Sequence, residues 1–151
     1  MFSYIFDLLP YKSSFRFVEE ISHLDLDGVV GHYTLREDAF FYVDHFPGNP
    51  VTPGAILTEI MVQIGLVVLG IHLIVQGSQQ PGSAEKRFPL LSSANVDFHK
   101  MVLPGQRLTV TSKKDYFRFD KLKCHVEMHN EAQELIAKGI FSGFIKKIET
   151  A

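Results

Sequence analysis

One stretch constrains this chain more than any other: Gly54 to Val75, GAILTEIMVQIGLVVLGIHLIV. It is apolar on nearly every face and long enough to cross a bilayer. It also carries Glu59, Gln63 and His72. A carboxylate in mid-bilayer costs about 2.5–3.5 kcal/mol on insertion scales. The expectation is therefore no membrane span, but a central helix covered by protein on almost all sides. Whatever else the chain builds must wrap that helix.

The rest of the chain supplies the wrapping. Residues up to about Leu9 read as a short helix or arm. Phe15 to Ile21 is rich in aromatic and β-branched residues and predicts a strand. The turn signal Asp25-Leu26-Asp27-Gly28 and a second strand from about Val29 to Leu35 complete a hairpin. A loop of turn formers runs from Asp44 to Pro53. After the helix, Gln76 to Arg87 (QGSQQPGSAEKR) has the composition of a flexible loop. Strands are then predicted over Leu90–Phe98, Arg107–Phe119, Lys121–Met128 and about Leu135–Ile145. Turns at Pro104-Gly105 and His129-Asn130-Glu131 punctuate them. Later strands joined by turns rather than helices mean an α+β chain, an antiparallel sheet folded over one long helix. No repeat or interdomain linker interrupts residues 1–151, which predicts a single domain.

Composition narrows the function classes. At 151 residues, 46% hydrophobic and 21% charged, the chain is not disordered. A net charge of −2 excludes a surface dominated by nucleic-acid binding. The single Cys124 excludes an internal disulfide and any multi-cysteine zinc site. The start MFSYIFDLLP has neither a basic n-region nor a small-residue cleavage site, so a cytoplasmic protein is expected. A core of this size would be strained by a large apolar ligand in a monomer. Charge is unevenly spread. Residues 1–59 carry three basic against nine acidic residues, and residues 60–151 carry twelve against eight. The most basic stretch holds Lys113, Lys114, Arg118, Lys121 and Lys123. It is either a solvated hairpin or a docking patch for an acidic partner.

The stretch VDHFPGNPVTPGAILTEIMVQ, Val43 to Gln63, is where chemistry concentrates. His45 sits in a loop whose prolines restrict the backbone, a rigid way to present an imidazole. Thr52 predicts an N-cap and Pro53 the first helical position. Gly54 then offers a first-turn N–H that a ligand oxygen can approach closely, with the helix dipole behind it. Such a donor suits a developing oxyanion, and the same glycine equally suits close packing of helix on sheet. Glu59 stands in apolar surroundings with Gln63 at i+4 on the same face. Burial would raise its pKa and make it a general acid. Alternatively it is a carboxylate on a wet helix face, bonded to Gln63.

The run HFPGNPVTPG, with Glu59 and Gln63 following at the same offsets, resembles the 3-hydroxyacyl-[acyl carrier protein] dehydratases of bacterial fatty-acid synthesis. Leu8-Leu9-Pro10 with Phe15, and Asn95-Val96-Asp97-Phe98 before Met101-Val102-Leu103-Pro104-Gly105, extend the likeness along the chain. The resemblance implies a hot-dog fold and a homodimer, with further assembly open, in which His45 of one protomer faces Glu59 of the other. It implies that His45 removes the C2 proton of a 3-hydroxyacyl thioester. Glu59 protonates the departing hydroxyl or holds a water that does, and Gln63 positions Glu59. The N–H groups of Gly54 and Phe46 would bond the thioester carbonyl. Acyl carrier protein would be the acidic partner of the lysine-rich patch, and neither a metal nor another cofactor is required.

Three departures mark a specialised relative, such as a dehydratase of a pigment-like polyene pathway. Asp44 stands where the family commonly has Gly, and Thr52 where it has Met or Val. Tyr11-Lys12-Ser13-Ser14 lacks the family's basic residues. Two rival readings are a hot-dog thioesterase and a non-catalytic acyl-binding subunit. Phe40, Phe41, Met61 and Ile64 are candidate acyl-tunnel residues, and equally candidate core. His125 and His129 fall about 13 Å apart on a strand, too far to share one ion. Neighbouring Cys124 and His125 point to opposite faces, which excludes a nucleophile pair. His72 is expected to bond locally within its helix.

Overall fold

A computed structural model describes residues 2–77 and 87–147. The apolar stretch forms one continuous helix, Gly54–Gly77, with 72% of its most apolar window buried. It is the core helix of the chain. Its outer turns are α-helical, Gly54–Val62 and Leu69–Gly77, and Gln63–Val68 between them is π-helical. Ile60, Met61, Ile64, Leu66, Val68 and Leu69 are all fully buried.

Six antiparallel strands wrap this helix: β1 (Glu20–Leu24), β2 (Gly28–Thr34), β3 (Arg87–Phe98), β4 (Arg107–Arg118), β5 (Lys121–His129) and β6 (Leu135–Lys147). Their order across the sheet is β1-β2-β4-β5-β6-β3. This is the expected hot-dog arrangement. Period-two alternation places Leu108, Val110 and Ser112 of β4 and Leu122, Cys124, Val126 and Met128 of β5 on the helix side. A Cβ on Gly70 would lie 2.4 Å from the Pro89 ring, so only glycine lets β3 approach there. Gly54, sixteen residues earlier, abuts Phe98. The helix therefore runs along β3 from its Phe98 end to its Pro89 end, about 24 Å.

The N-terminal segment departs from expectation. Residues Ser3–Leu8 form α1, and Ile5 is buried. The strand expected over Phe15–Ile21 begins only at Glu20 and extends to Leu24. Before it, Ser13–Phe15 is a 3-10 turn. Phe17 and Val18 are buried as their apolar character demands, but this backbone finds a side-chain partner instead of a strand. His72 does not bond locally: its Nδ1 lies 2.6 Å from the Tyr4 hydroxyl, fastening α1 to the central helix. Of the loop expected over Gln76–Arg87, residues 78–86 lie outside the described residues. Gln76 and Gly77 finish the helix, and Arg87 opens β3.

Candidate active site

The His45 loop is closed by its own backbone. Phe46 and Asn49 exchange two hydrogen bonds across Pro47-Gly48, N–H to carbonyl at 3.2 and 2.9 Å. Gly48 takes φ +72°, the left-handed value that the third position of a Pro-Gly turn requires. Val51 donates its N–H to the His45 carbonyl at 2.9 Å, and His45 donates its own to Phe41 at 3.2 Å. His45 Nδ1 lies 2.9 Å from the Val51 carbonyl oxygen. A carbonyl can only accept, so Nδ1 carries a proton, and in the neutral ring the lone pair is then on Nε2. The Phe46 ring stacks on the imidazole at 4.2 Å between centroids.

The helix starts one residue later than expected. Pro53 is the cap and Gly54 the first helical residue, with no side-chain cap. Thr52 is buried and bonds the Tyr42 hydroxyl at 2.6 Å instead of capping. The first helical bonds run from Ile56 and Leu57 to Pro53, leaving Gly54 N–H without an intrahelical partner. A cleft of about 330 Å³ opens at this helix end, lined by Val51, Thr52, Gly54, Leu57, Phe98, His99, Lys100 and Met101. The Phe46 N–H is not a second donor into it, because the Asn49 carbonyl takes that proton.

Glu59 lies one to two turns into the helix. Its Oε2 is buried and has no hydrogen-bond partner among the described residues. Burial pushes the Glu59 carboxyl above the ordinary range, and the Gln63 side chain works against that rise. Gln63 has a second task. Its Oε1 accepts the Phe17 N–H at 2.7 Å and its Nε2 donates to the Phe15 carbonyl at 2.9 Å. Tyr11, on the same N-terminal segment, is close enough to Glu59 for the carboxylate to reinforce burial in raising its phenol. Only its place among the departures from the family pattern marked Tyr11 in the sequence.

Other candidates fall elsewhere. Met61 and Ile64 are fully buried core and Phe41 is buried, whereas Phe40 is 66% exposed. The basic stretch occupies the β4–β5 hairpin but splits between faces. Lys114 is opposite buried Cys124 on the helix side. Lys113, Arg118, Lys121 and Lys123 alternate onto the outer side. There Arg118 and Lys123 lie over the Tyr116 ring and Lys121 over Phe144. Lys123 is also 3.8 Å from Asp115. Cys124 is buried, its thiol pushed up to about 12. His125 turns outward to Asp115 at 3.5 Å, and His129 lies 3.9 Å from Glu127.

The family model of the FabA-like domain matches residues 9–133. The chain belongs to the FabA-like domain family. It is 33% identical over 102 residues to the bifunctional enzyme LpxC/FabZ of Porphyromonas gingivalis, covering 68% of this chain but 21% of that longer protein. It is 26% identical over 145 residues to the 3-hydroxyacyl-[acyl-carrier-protein] dehydratase FabZ of Legionella pneumophila, covering 87% of this chain and 93% of the other. Among solved structures, the dehydratase heterocomplex ApeI:P of Xenorhabdus doucetiae superposes with TM-score 0.74 at 13% identity, over 94% of this chain and 90% of that one. A hypothetical thioesterase of Streptococcus pneumoniae with coenzyme A superposes at 0.59 and 14% identity, over 87% and 88%. At these identities the structures speak for the hot-dog fold, and the residues matched by the FabA-like family model include the His45 loop and the central helix.

Proposed function

We propose that this chain dehydrates 3-hydroxyacyl thioesters, carried on acyl carrier protein, to trans-2-enoyl thioesters. The observation that carries the reading is the His45–Val51 bond, which leaves the imidazole Nε2 free as a base within a loop leading to the cleft at Gly54. Nε2 takes the C2 proton, and the C2–H electron pair forms the C2=C3 double bond. The C3–O bond breaks as Glu59 gives its proton to the departing hydroxyl, which leaves as water. The C2 proton is only weakly acidic. Negative charge growing on the thioester oxygen therefore needs the Gly54 N–H and the helix dipole. One such donor is worth about 2.7–4 kcal/mol in comparable sites. The burial that raises Glu59 favours its protonated form, as a general acid requires.

The working unit in this reading is a homodimer joined through β3. Among the described residues that strand ends the sheet, with one edge available for pairing. Exposed Leu90, Leu91 and Phe98 lie along it, and Met101, 72% exposed, follows it. Two-fold pairing of identical edges is antiparallel. It sets the Gly54 end of one protomer beside the β4–β5 hairpin of its partner. Lys113, Arg118, Lys121 and Lys123 then face an acidic carrier near the partner's cleft, by charge complementarity. The reaction goes with a cytoplasmic location. The test is to incubate the protein with 3-hydroxyacyl thioesters and follow the conjugated enoyl product. Release of free thiol without enoyl formation would identify a thioesterase instead.

A further inference from the structure

Phe119 is the most exposed large apolar side chain among the described residues, at 96%. It stands at the tip of the β4–β5 hairpin, where Arg118 pairs with Lys121 and only Phe119 and Asp120 make the turn. Both take left-handed backbone, φ +51° and +58°. A two-residue turn of this kind follows the twist of its strands, and its usual residues are Asn, Asp and Gly. Asp120 suits it. A bulky Phe does not, because its Cβ crowds the following carbonyl. The hairpin therefore carries a residue that costs stability and whose ring buries almost nothing within the chain. The tip is nonetheless held in place, since Ile145 of β6 donates its N–H to the Asp120 carbonyl at 2.8 Å. Cations flank it on rings of their own: Lys121 lies 5.6 Å from the Phe144 centroid and Arg118 4.5 Å from that of Tyr116. The acids here are Asp120 and Asp115, the latter 3.8 Å from Lys123.

We propose that Phe119 is the apolar anchor with which this hairpin docks the acidic acyl carrier protein, its ring entering an apolar groove of the carrier while Arg118, Lys121 and Lys123 pair with carboxylates around it. This rests on the reading of the substrate as carrier-borne. Charge complementarity selects an acidic protein. Exposed cations alone give an attraction that salt screens and that fixes position poorly. A ring on a braced turn adds contact area at low ordering cost, as interface anchors do. One ring also suits a protein groove better than a lipid surface, where a single short apolar group holds only marginally. In the proposed homodimer the tip lies beside the partner's Gly54 end, so the carrier docks near the site it serves.

The test uses Phe119→Asn, which removes the ring, leaves every charge in place and puts a residue favoured by this turn at the tip. Its thermal midpoint should equal or exceed that of wild type. Fluorescence polarisation of a labelled 3-hydroxyacyl acyl carrier protein reads binding, and enoyl formation reads turnover. Phe119→Asn should weaken carrier binding about tenfold, raise KM for the carrier-bound substrate to match, and leave turnover of a small thioester mimic untouched. The ratio should persist in about 0.5 M salt, because an apolar contact is not screened. A lower midpoint, no carrier binding by wild type, or unchanged carrier binding by the variant overturns the proposal. If the variant binds carrier normally but no longer sediments with phosphatidylglycerol vesicles that capture wild type, the tip is a lipid anchor instead. Absence of enoyl product from wild type would overturn the dehydratase reading, and the polarisation measurement would still decide the docking.

Discussion

His45 and Val51 are tied twice across the six-residue step that separates them. The Val51 N–H donates to the His45 carbonyl at 2.9 Å, and His45 Nδ1 donates to the Val51 carbonyl at 2.9 Å. The first bond fixes the loop and the second fixes the ring. Nitrogen-15 correlation spectra of the neutral protein should show His45 protonated at Nδ1, with a bare Nε2. The opposite tautomer would remove the base from the mechanism.

Gly54 separates packing from chemistry. A Cβ there would meet the Phe98 ring at 3.4 Å, an ordinary contact, so Gly54→Ala should leave the thermal midpoint unchanged or slightly higher. The added methyl would stand beside the N–H that we propose bonds the carbonyl oxygen. We expect kcat/KM to fall at least tenfold. A fully active Gly54→Ala protein would mean that this glycine serves only the fold.

Gln63 ties the N-terminal segment to the core helix. Gln63→Met keeps volume but leaves the Phe17 N–H and the Phe15 carbonyl without their partner. Urea unfolding should show a loss of about 2 kcal/mol or more. An unchanged midpoint would show that solvent or a shifted strap replaces both bonds.

Glu59 gives stability a pH dependence of unusual sign. Its carboxyl is raised in the folded state, so between the unfolded and folded pKa values the folded chain holds more protons. Stability from this group is present below that window and is lost as pH rises through it. Thermal midpoints measured from mildly acidic to neutral pH should decline in the wild type more than in Glu59→Gln. Parallel curves would place Glu59 in an unperturbed, solvated setting.

The outer face of the β4–β5 hairpin is tested with two substrates. Lys121→Glu combined with Lys123→Glu should slow turnover of a carrier-bound 3-hydroxyacyl chain and spare a small thioester mimic. Equal loss on both substrates would remove these lysines from carrier docking.

Much of this architecture was legible because its signals are local. An all-round apolar helix needs a cover, and Gly- and Pro-marked turns between alternating runs announce an antiparallel sheet. The loop from His45 to Gly54 was legible through residues that restrict their own backbone. What escaped depends on partners far along the chain. Phe15 to Ile21 has strand composition, yet the backbone at Phe15 and Phe17 binds a side chain from residue 63. Thr52 has the chemistry of a cap, but the Tyr42 hydroxyl claims it. His72 reaches Tyr4 across 68 positions. The resemblance implies that the Phe46 N–H bonds the substrate carbonyl, but a reciprocal bond within a four-residue turn consumes it. No periodicity encodes contacts of that kind.

The most direct measurement follows conjugated enoyl thioester formation from 3-hydroxyacyl thioesters of several chain lengths, using wild type, His45→Ala and Glu59→Gln. Wild type should form enoyl product and water, and each variant should lose at least a hundredfold in rate, the scale of general acid–base assistance. No enoyl product from wild type, or full rate in both variants, would contradict the account.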